Sequence, residues 1–421
     1  MTSDTTRRAL RETPFHERTA PLCEASDWRR WGGCIAASAY ELTHEHEYAA
    51  IRGTAGLIDV SPLFKYRVTG RDSTRLLDRM ITRDVARCGV GQVLYTPWCD
   101  GRGKVRDDGT VHRLGEDDFR LTSAEPNLLW MHDNAAGLDV EIREETEDVG
   151  ALALQGPASC DILREITDAA IEDLGFFRVI ETRVEGIPVQ ISRTGYTGDL
   201  GYELWVAADR AIPLWDALVR RGETFGIAPA GLIALDMVRV EAGLILIDVD
   251  YVPAHRAVIE DRKSSPFELG LGWTVARGKG PYVGRGALEA ERERGPEWEL
   301  RGLVVDWESL EQAYAEFDLP PQLPGSTVRQ SVPVYVGEAQ VGYATSRCWS
   351  PALKRYLALA HLRVPHAAVG TTLEIEVTVE HRRRRARATV ARTPFFDPAR
   401  KRATPAPSPT GAHAAGEAAA R

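Results

Sequence analysis

Hydrophobic and polar positions alternate along most of the chain, but strand-like and helix-like periods follow one another without a regular order. Residues 56–70 alternate around β-branched and aromatic side chains, which is typical of a strand. Residues 71–82 instead place four apolar side chains on one helical face, namely Leu76, Leu77, Met80 and Ile81. The segments 91–114 and 117–124 have the pattern of consecutive strands separated by Gly and Asp turns.

The same mixture continues to residue 247. Further strands are predicted at residues 149–157, 187–193 and 202–207. Helices are predicted at residues 157–166, at 212–222 with Gly222 as the C-cap, and at 231–247. Strands and helices that mix without a β-α-β rhythm predict an α+β fold and not a doubly wound sheet.

The pattern changes near residue 300, where short strands with turns between them predict a small β-barrel or sandwich. Beyond about residue 400 the chain is rich in Pro, Ala, Gly and Ser and has no apolar period, which predicts a disordered tail. We therefore divide the chain into a mixed domain at 1–298, a β-barrel domain at 299–398 and a tail at 399–421.

The charge balance narrows the classes of partner. The 421 residues include 52 Lys and Arg against 61 Asp and Glu, so the net charge of −9 argues against a nucleic-acid-binding protein held by bulk positive charge. RNA binding through the arginines at 382–385 and 387 stays an alternative. In a strand of an acidic protein, however, such a run is more often a solvated edge that blocks aggregation.

Other features of the sequence indicate its compartment. No apolar run approaches the roughly 20 residues of a membrane helix, and the N-terminus has no apolar signal segment. The six cysteines are scattered and form no C-x-x-C pair, which is typical of reduced thiols. No metal-ligand spacing is present. We predict a cytoplasmic protein with no bound metal, no membrane partner and no nucleic-acid partner.

Four segments combine carboxylates, phenols and glycines: Tyr95-Thr96 with Asp107-Asp108, residues 193–203, residues 236–243 and residues 342–353. Each has a plain structural explanation when it is taken alone. An Asp-Asp pair before a glycine is the pattern of a solvated turn. The glycines at 195–201 lack the spacing and the strand–helix context of a dinucleotide site. Arg239 interrupts an apolar stretch, so a buried partner is expected, and that partner could be purely structural.

Taken together, these segments follow an order that is typical of one family. They include AAIRGTAGLIDVSPL at 49–63, GQVLYT and GRGKVRDD within 91–108, SRTGYTGDLGYELW at 192–205, LIALDMVRVEAGLIL at 232–246 and GYATSRCWSPALKRYLALAHL at 342–362. Over about residues 45–395 the sequence resembles the glycine cleavage T-protein (aminomethyltransferase) family, including its tetrahydrofolate-dependent demethylase relatives.

The resemblance implies a cloverleaf of two α+β lobes and a C-terminal β-barrel, with tetrahydrofolate in the central channel. It implies that Asp108 is the catalytic carboxylate and that the phenol of Tyr196 assists it. It further implies cofactor-binding roles for four residues: Tyr95, Glu203, Arg239 and Asp199. The expected activity is transfer of a methyl or aminomethyl-derived carbon to N5 of tetrahydrofolate.

Elementary chemistry is consistent with these roles. A pterin edge presents two N–H donors side by side, and a carboxylate accepts such a pair through charge-assisted bonds worth roughly 1.5–3 kcal/mol each. The folate tail carries carboxylates, which suit an arginine. A carboxylate and a phenol can also move the protons that transfer to an amine nitrogen requires.

The departures from the family pattern concentrate on the donor side. After E-A-G the aminomethyltransferases have L-Y-G-N-E, whereas this chain has LIDVDY at 246–251. The segment WRRWGGCIAASAY at 28–40 also differs from the family, as do Pro62-Leu63, Asp199 and His112. The donor is therefore expected to be a small molecule, or a lipoyl carrier protein if the chain is a true T-protein. Trp98, His112 and the N-terminal tryptophans are candidates for an aromatic pocket, although a core position is commoner for tryptophan. A non-catalytic folate-binding protein of the same fold is the alternative function.

Overall fold

The structure is a computed structural model that describes residues 10–405. Its N-terminal part contributes a small hairpin and the first strand of a larger sheet. The elements are α1 (His16–Thr19), β1 (Trp28–Trp31), β2 (Cys34–Ala37), α2 (Glu45–Gly53) and β3 (Ala55–Asp59). The strands β1 and β2 pair antiparallel with each other, whereas β3 joins a sheet that the chain completes later.

The first lobe is a five-stranded antiparallel sheet with two helices packed against it. Its elements are β4 (Phe64–Thr69), α3 (Ser73–Met80), β5 (Val93–Cys99), β6 (Val105–Gly115), β7 (Asp118–Ser123), α4 (Leu128–Asn134) and β8 (Glu141–Glu144). The strand order is β5-β6-β7-β4-β8. The apolar face of α3 is buried in the core of this lobe through Leu76, Leu77 and Met80, which confirms the predicted helix.

The second lobe is built on a six-stranded sheet. Its remaining elements are β9 (Val149–Gln155), α5 (Ser159–Ile166), β10 (Val179–Val184), β11 (Ile187–Ser192), β12 (Gly201–Ala207), α6 (Ala211–Gly222), β13 (Ile227–Pro229) and α7 (Leu232–Glu241). The strand order is β10-β11-β12-β9-β3-β13, and β13 pairs parallel with β3. The helices α5 and α6 bury their apolar faces in the core of this sheet.

The C-terminal part is a closed six-stranded barrel. Its elements are α8 (Arg285–Arg294), β14 (Trp298–Val305), α9 (Trp307–Ala315), β15 (Val332–Val336), β16 (Ala339–Ser350), β17 (Arg355–Arg363), β18 (Thr372–Val379) and β19 (Arg382–Ala391). The strand order around the barrel is β14-β17-β16-β15-β18-β19. The predicted α+β class with a C-terminal β-barrel is therefore confirmed. The domain limits at 298 and 398 stay predictions.

One predicted strand is two strands in different lobes. Residues 56–70 contain the end of β3, which pairs with β9 in the second lobe, and β4, which pairs with β7 and β8 in the first lobe. Residues 60–63 connect them. The alternation of apolar side chains is the same on both sides of this connection, so the pattern could not reveal that the chain changes sheets.

Two helix ends also differ from the prediction. The chain continues past Gly222 into a 3-10 turn at Glu223–Phe225, and the left-handed cap is Gly226, with φ of 70°. The helix α7 ends at Glu241, although the apolar period runs on to residue 247. The next glycine, Gly243, has φ of 66° and turns the chain away from the helix axis.

The arginine run lies on the part of β19 that pairs with β18, whereas the pairs of β19 with β14 begin at Ala388. The prediction of a solvated strand edge is therefore not contradicted for residues 382–387. Four of the five guanidinium groups of the run form ion pairs with carboxylates of neighbouring segments. The pairs are Arg383 with Glu376 at 2.9 Å, Arg384 with Glu316 at 2.5 Å, Arg385 with Glu338 at 3.3 Å and Arg387 with Asp306 at 3.1 Å. These carboxylates reduce the positive charge that an RNA backbone would need.

The first residues of the predicted tail are ordered. A 3-10 turn at Ala399–Lys401 packs against the second lobe, where Arg400 forms an ion pair with Asp199. The prediction of disorder from residue 399 is therefore wrong for residues 399–405, because this ion pair and further backbone contacts fix them. The rest of the predicted tail, residues 406–421, lies outside the described residues.

Three further observations concern residues 10–405 as a whole. None of the helices in this range has both the length and the apolar character needed to cross a membrane. The same residues contain no group of three His, Cys, Asp or Glu side chains that could hold a metal ion. The six cysteines are unpaired and buried, as expected for reduced thiols.

Candidate active site in the central cavity

A cavity of about 2090 Å³ lies where the two lobes, the loop after α7 and the barrel meet. All of the site residues predicted from the sequence are in its wall, namely Tyr95, Asp108, Tyr196, Asp199, Glu203 and Arg239. Their side chains nevertheless have very different surroundings. The contacts of each group decide what it can do.

Asp108 reaches the cavity from β6, and two phenols hold its carboxylate. The hydroxyl of Tyr95 on β5 donates to Oδ2 at 2.8 Å, and the hydroxyl of Tyr251 donates to Oδ1. No Lys, Arg or His among residues 10–405 forms an ion pair with Asp108. Burial raises the pKa of Asp108, and the two phenolic bonds oppose that rise. The pKa values of Tyr95 and Tyr251 are raised well above the usual range by burial and by Asp108, so both phenols act as donors.

Asp107 points the other way, because successive side chains of a strand alternate between its two faces. Its fully buried carboxylate accepts hydrogen bonds from the backbone N–H of Asp108 at 2.8 Å, the backbone N–H of Glu125 at 3.1 Å and Nδ2 of Asn127 at 2.8 Å. It therefore fixes the backbone on which Asp108 sits. Of the two neighbouring carboxylates, only Asp108 lines the cavity.

Glu203 lies on β12 and presents a second carboxylate to the cavity. The hydroxyl of Thr194 donates to its Oε2 at 2.5 Å, and Thr194 is in turn 2.7 Å from the hydroxyl of Ser192. No cationic side chain within the described residues forms an ion pair with Glu203. Burial raises its pKa, and the hydroxyl bonds oppose this rise. Trp205, two positions further along the same strand face, also lines the cavity.

Aromatic side chains form much of the remaining wall. The ring centroid of Tyr95 is 6.3 Å from that of Trp273, which also lines the cavity. Tyr196 donates its hydroxyl to the backbone carbonyl of Ile245, so this phenol holds the loop that follows α7. Burial raises the pKa of Tyr196. Its predicted catalytic role stays a prediction.

Arg239 is fully buried, and protein groups occupy most of its donors. It bonds to Asp236 at 2.8 Å, to the carboxylate of Asp250, to the hydroxyl of Ser346 at 2.7 Å and to the carbonyl of Leu244 at 3.2 Å. These contacts differ from the expectation that Arg239 meets the folate carboxylates. They tie α7 to the barrel and to the loop that lines the cavity.

Asp199 also differs from the expectation. Its carboxylate accepts two bonds from Arg400, at 2.6 Å and 2.8 Å, and one from the backbone N–H of Leu200 at 2.7 Å. A second guanidinium, that of Arg52, lies 3.6 Å away. The side chain has no exposed surface, so its contacts hold the C-terminal segment against the second lobe.

Two cations of the cavity wall have no acidic partner. Arg29 and Arg30 on β1 form no ion pair within residues 10–405, and the recorded side-chain bond of Arg29 is to the hydroxyl of Ser38 at 2.9 Å. Arg329 also lines the wall, but it pairs with Asp236 at 2.7 Å. The arginines of β1 are therefore the cavity groups that could meet an anionic ligand.

Sequence reasoning missed Tyr251 as a site residue and considered Trp98 and His112 as pocket residues. Trp98 is instead in the core of the first lobe, where its Nε1 donates to Asn127 at 3.2 Å. His112 is completely buried beside Trp205. The available signal for Tyr251 was its place in the segment that departs from the family pattern, but its contact with Asp108 spans 143 positions.

The fold and the cavity together define a class of protein: two mixed lobes, a terminal barrel, and carboxylates without cationic partners in the cavity between them. Comparisons with known protein families indicate the same class. Residues 15–279 match the protein family described as "GCVT N-terminal domain". Residues 318–397 match the family described as "Glycine cleavage T-protein C-terminal barrel domain". The chain therefore belongs to the glycine cleavage T-protein family.

Individual relatives agree with this assignment. The chain is 35% identical over 415 residues to the trimethylamine-oxide aldolase of Ruegeria pomeroyi, which covers 95% of the chain but 49% of that relative. It is 33% identical over 354 residues to an aminomethyltransferase of Halothermothrix orenii, covering 83% of the chain and 90% of the relative. The chain thus spans about half the length of the aldolase and most of the aminomethyltransferase. These relatives are enzymes.

A solved structure has the same fold. The crystal structure of glycine cleavage system aminomethyltransferase T from Bartonella henselae matches with a TM-score of 0.76 and 23% sequence identity. The match covers 92% of this chain and 98% of that one. At this identity, the similarity extends to the arrangement of lobes and barrel.

Proposed function

We propose that this chain is a tetrahydrofolate-dependent one-carbon transferase that takes its carbon from a small donor molecule. The observation that carries the proposal is the cavity shared by Asp108 and Glu203, two carboxylates without a cationic partner in the described residues. Burying a carboxylate without a cationic partner costs free energy, so such a group in a cavity is a candidate for catalysis or for binding a ligand with N–H donors.

The surroundings of Glu203 fit the pterin edge. Its carboxylate faces the cavity, receives the hydroxyl of Thr194 and can accept further N–H donors. Trp205 lies on the same face of β12 and provides a flat apolar contact for a heterocycle. When bound, tetrahydrofolate supplies the amine nitrogen that accepts the one-carbon unit.

Asp108 is proposed to hold or accept the proton that leaves as the carbon is transferred. The phenols of Tyr95 and Tyr251 keep this carboxylate ionised and fixed in direction. A ligand that filled the cavity beside Tyr95 and Trp273 would displace water from Asp108, which would protect a reactive one-carbon unit from hydrolysis. In this proposal Tyr196 supports the site by holding the loop at Ile245.

We propose that Arg29 and Arg30, and not Arg239, bind the folate tail. Arg239 is committed to Asp236, Asp250 and Ser346, and Asp199 is committed to Arg400. The two arginines of β1 line the cavity without an ion pair, and an arginine suits the carboxylates of a folate tail. Arg239 and Asp199 are proposed to position the walls of the site.

A small donor is favoured over a lipoyl-bound one. The similarity to the trimethylamine-oxide aldolase extends over 95% of the chain, so small methylated amines enter the list of donor classes. Parts of both segments that depart from the family pattern, residues 29–33 and 246–249, line the cavity. A lipoyl carrier protein is the alternative donor, which the experiment below compares with small molecules. A cytoplasmic location stays a prediction.

The test is a donor panel with 5-methyl- or 5,10-methylene-tetrahydrofolate as the measured product. The panel contains N-methylated amines, sulfonium compounds, methoxylated aromatics and an aminomethyl-loaded lipoyl carrier. Replacement Asp108→Asn should lower kcat by roughly 10²–10⁴-fold with little change in the Kd for tetrahydrofolate. Replacement Glu203→Gln should instead weaken tetrahydrofolate binding by roughly 10-fold or more.

The matched control is Glu338→Gln, because Glu338 is an almost fully exposed carboxylate on the barrel. This variant should keep both turnover and binding. Full turnover by Asp108→Asn, or no folate product with any donor, would contradict the proposal.

A further inference from the structure

Tyr251 reaches the candidate catalytic carboxylate from a different part of the fold than Tyr95 does. Tyr95 is on β5, the antiparallel neighbour of the strand that carries Asp108. Tyr251 comes from the segment 244–256 after α7, and its phenol donates a hydrogen bond to the other carboxylate oxygen of Asp108. Each carboxylate oxygen thus receives one phenolic O–H group.

The residue before Tyr251 fixes its position. The carboxylate of Asp250 accepts bonds from Arg239, from the hydroxyl of Ser346 at 2.7 Å and from the backbone N–H of Leu246 at 2.9 Å. Its backbone carbonyl lies 2.6 Å from Nε2 of His361 on β17. The base of Tyr251 is therefore anchored to α7 and to the barrel, while its phenol reaches into the first lobe.

Among residues 10–405, the groups around Asp108 include no cation that could replace the bond from Tyr251. The titratable side chains close to it are Tyr95 from β5, Tyr196 from the turn after β11, Tyr251, and Asp107 on the opposite face of β6. Three are phenols and one is another carboxylate. Because no ion pair with Asp108 exists within residues 10–405, its charge depends on the two O–H donors.

We propose that Tyr251 is a positioning residue that keeps the Asp108 carboxylate ionised and turned toward the cavity, so that the segment 244–256 sets the pH range of the transfer reaction. This inference rests on the function proposed above for Asp108. Loss of one donor leaves the anion with a single hydrogen bond in a buried place, and the protonated form then becomes more favourable.

The decisive variant is Tyr251→Phe, which removes the hydroxyl and keeps the ring. The pKa of Asp108 should rise, so the acid limb of the kcat/KM profile should move upward by about 1–2 pH units. The Kd for tetrahydrofolate should change less than about twofold, because Glu203 is untouched. The control is Tyr335→Phe, which removes a phenol 3.4 Å from a carboxylate oxygen of Glu376 on the barrel and should leave the profile unchanged.

A second measurement is independent of turnover. Infrared difference spectra, with Asp108→Asn as the blank, follow the titration of the Asp108 carboxylate directly in the wild type and in Tyr251→Phe. An upward shift of that titration supports the inference, and an unshifted titration in a folded variant overturns it. Lack of folate product in the wild type would overturn the proposed function instead, so the two failures can be told apart.

Discussion

His112 shows how burial decides the chemistry of a single side chain in this protein. It lies on β6, four positions beyond Asp108, but its imidazole is completely enclosed. Its Nε2 is 3.0 Å from the hydroxyl of Thr110, and its ring lies edge-on to Trp205 with centroids 5.3 Å apart. Burial, with a smaller contribution from Arg120, lowers the pKa of His112 to about 3. The imidazole therefore stays neutral in the folded protein under ordinary conditions.

Because this imidazole is neutral in the folded protein, we expect the protein to lose stability in mild acid. The unfolded chain binds a proton at His112 near pH 6.5, whereas the folded chain does not until about pH 3. The unfolded state thus holds more protons in this range, and the free energy of unfolding should fall by about 1.5–2 kcal/mol between pH 6.5 and pH 5. Denaturant titrations at several pH values measure this slope.

Replacement His112→Phe tests the assignment. The variant keeps a ring beside Trp205. Its unfolding should bind up to one proton fewer than that of the wild type between pH 6.5 and pH 5, so its free energy of unfolding should fall less steeply with decreasing pH. Replacement of the exposed His132 by Phe should leave the slope unchanged. An identical slope in His112→Phe and in the wild type would show that His112 does not titrate in this way.

At the scale of elements, the end of α7 brings the cavity wall into place. The backbone N–H of Gly243 donates to the carbonyl of Val240 at 2.9 Å, and that of Leu244 donates to the carbonyl of Arg239 at 2.9 Å. These bonds, with φ of 66° at Gly243, form a Schellman motif. The apolar residues that follow leave the helix and line the cavity at 244–249.

A side chain at Gly243 should disrupt this helix end. In Gly243→Ala the alanine would have to adopt a positive φ, and its Cβ would lie 2.6 Å from Cβ of Thr393. The left-handed conformation and the overlap together should reduce the free energy of unfolding by about 2–4 kcal/mol. Chemical denaturation of the variant measures this loss.

Gly101, in the exposed turn between β5 and β6, is the control. It has no heavy atom within 4 Å of an added Cβ, so Gly101→Ala should change stability by less than about 1 kcal/mol. Equal effects of the two alanines would mean that the end of α7 does not depend on Gly243.

At the scale of the whole molecule, the chain after the barrel returns to the second lobe and closes one side of the cavity. The backbone N–H groups of Phe395 and Phe396 both donate to the carbonyl of Glu241 at 2.9 Å. The guanidinium of Arg193 donates to the carbonyl of Ala403 at 2.5 Å, and Arg400 pairs with Asp199. This segment links the barrel to the lobe that carries Glu203.

Removal of residues 399–421 should therefore weaken the whole assembly. The buried carboxylate of Asp199 would keep only Arg52, at 3.6 Å, as a cationic neighbour. We expect the free energy of unfolding to fall by roughly 2–4 kcal/mol, measured by denaturant titration. The point variant Arg400→Met should reproduce most of this loss. Unchanged stability in both variants would reopen a ligand-binding role for Asp199.

The sequence by itself determined the family, the mixed fold with its terminal barrel, and six residues of the cavity wall. Helix α3 and the strands around Asp108 could be predicted because local periodicity reports which face of an element is buried. The position of Asp108, Glu203 and Tyr95 in one wall followed from motifs that lie in a typical order.

Only the tertiary structure decided which partner each of these side chains has. The contact of Tyr251 with Asp108 spans 143 positions, that of Arg239 with Ser346 spans 107, and that of Arg400 with Asp199 spans 201. Periodicity shows that a side chain is buried, but not which distant element covers it. For charged groups that difference determines function, because an arginine that meets aspartates inside the protein is not available to a ligand.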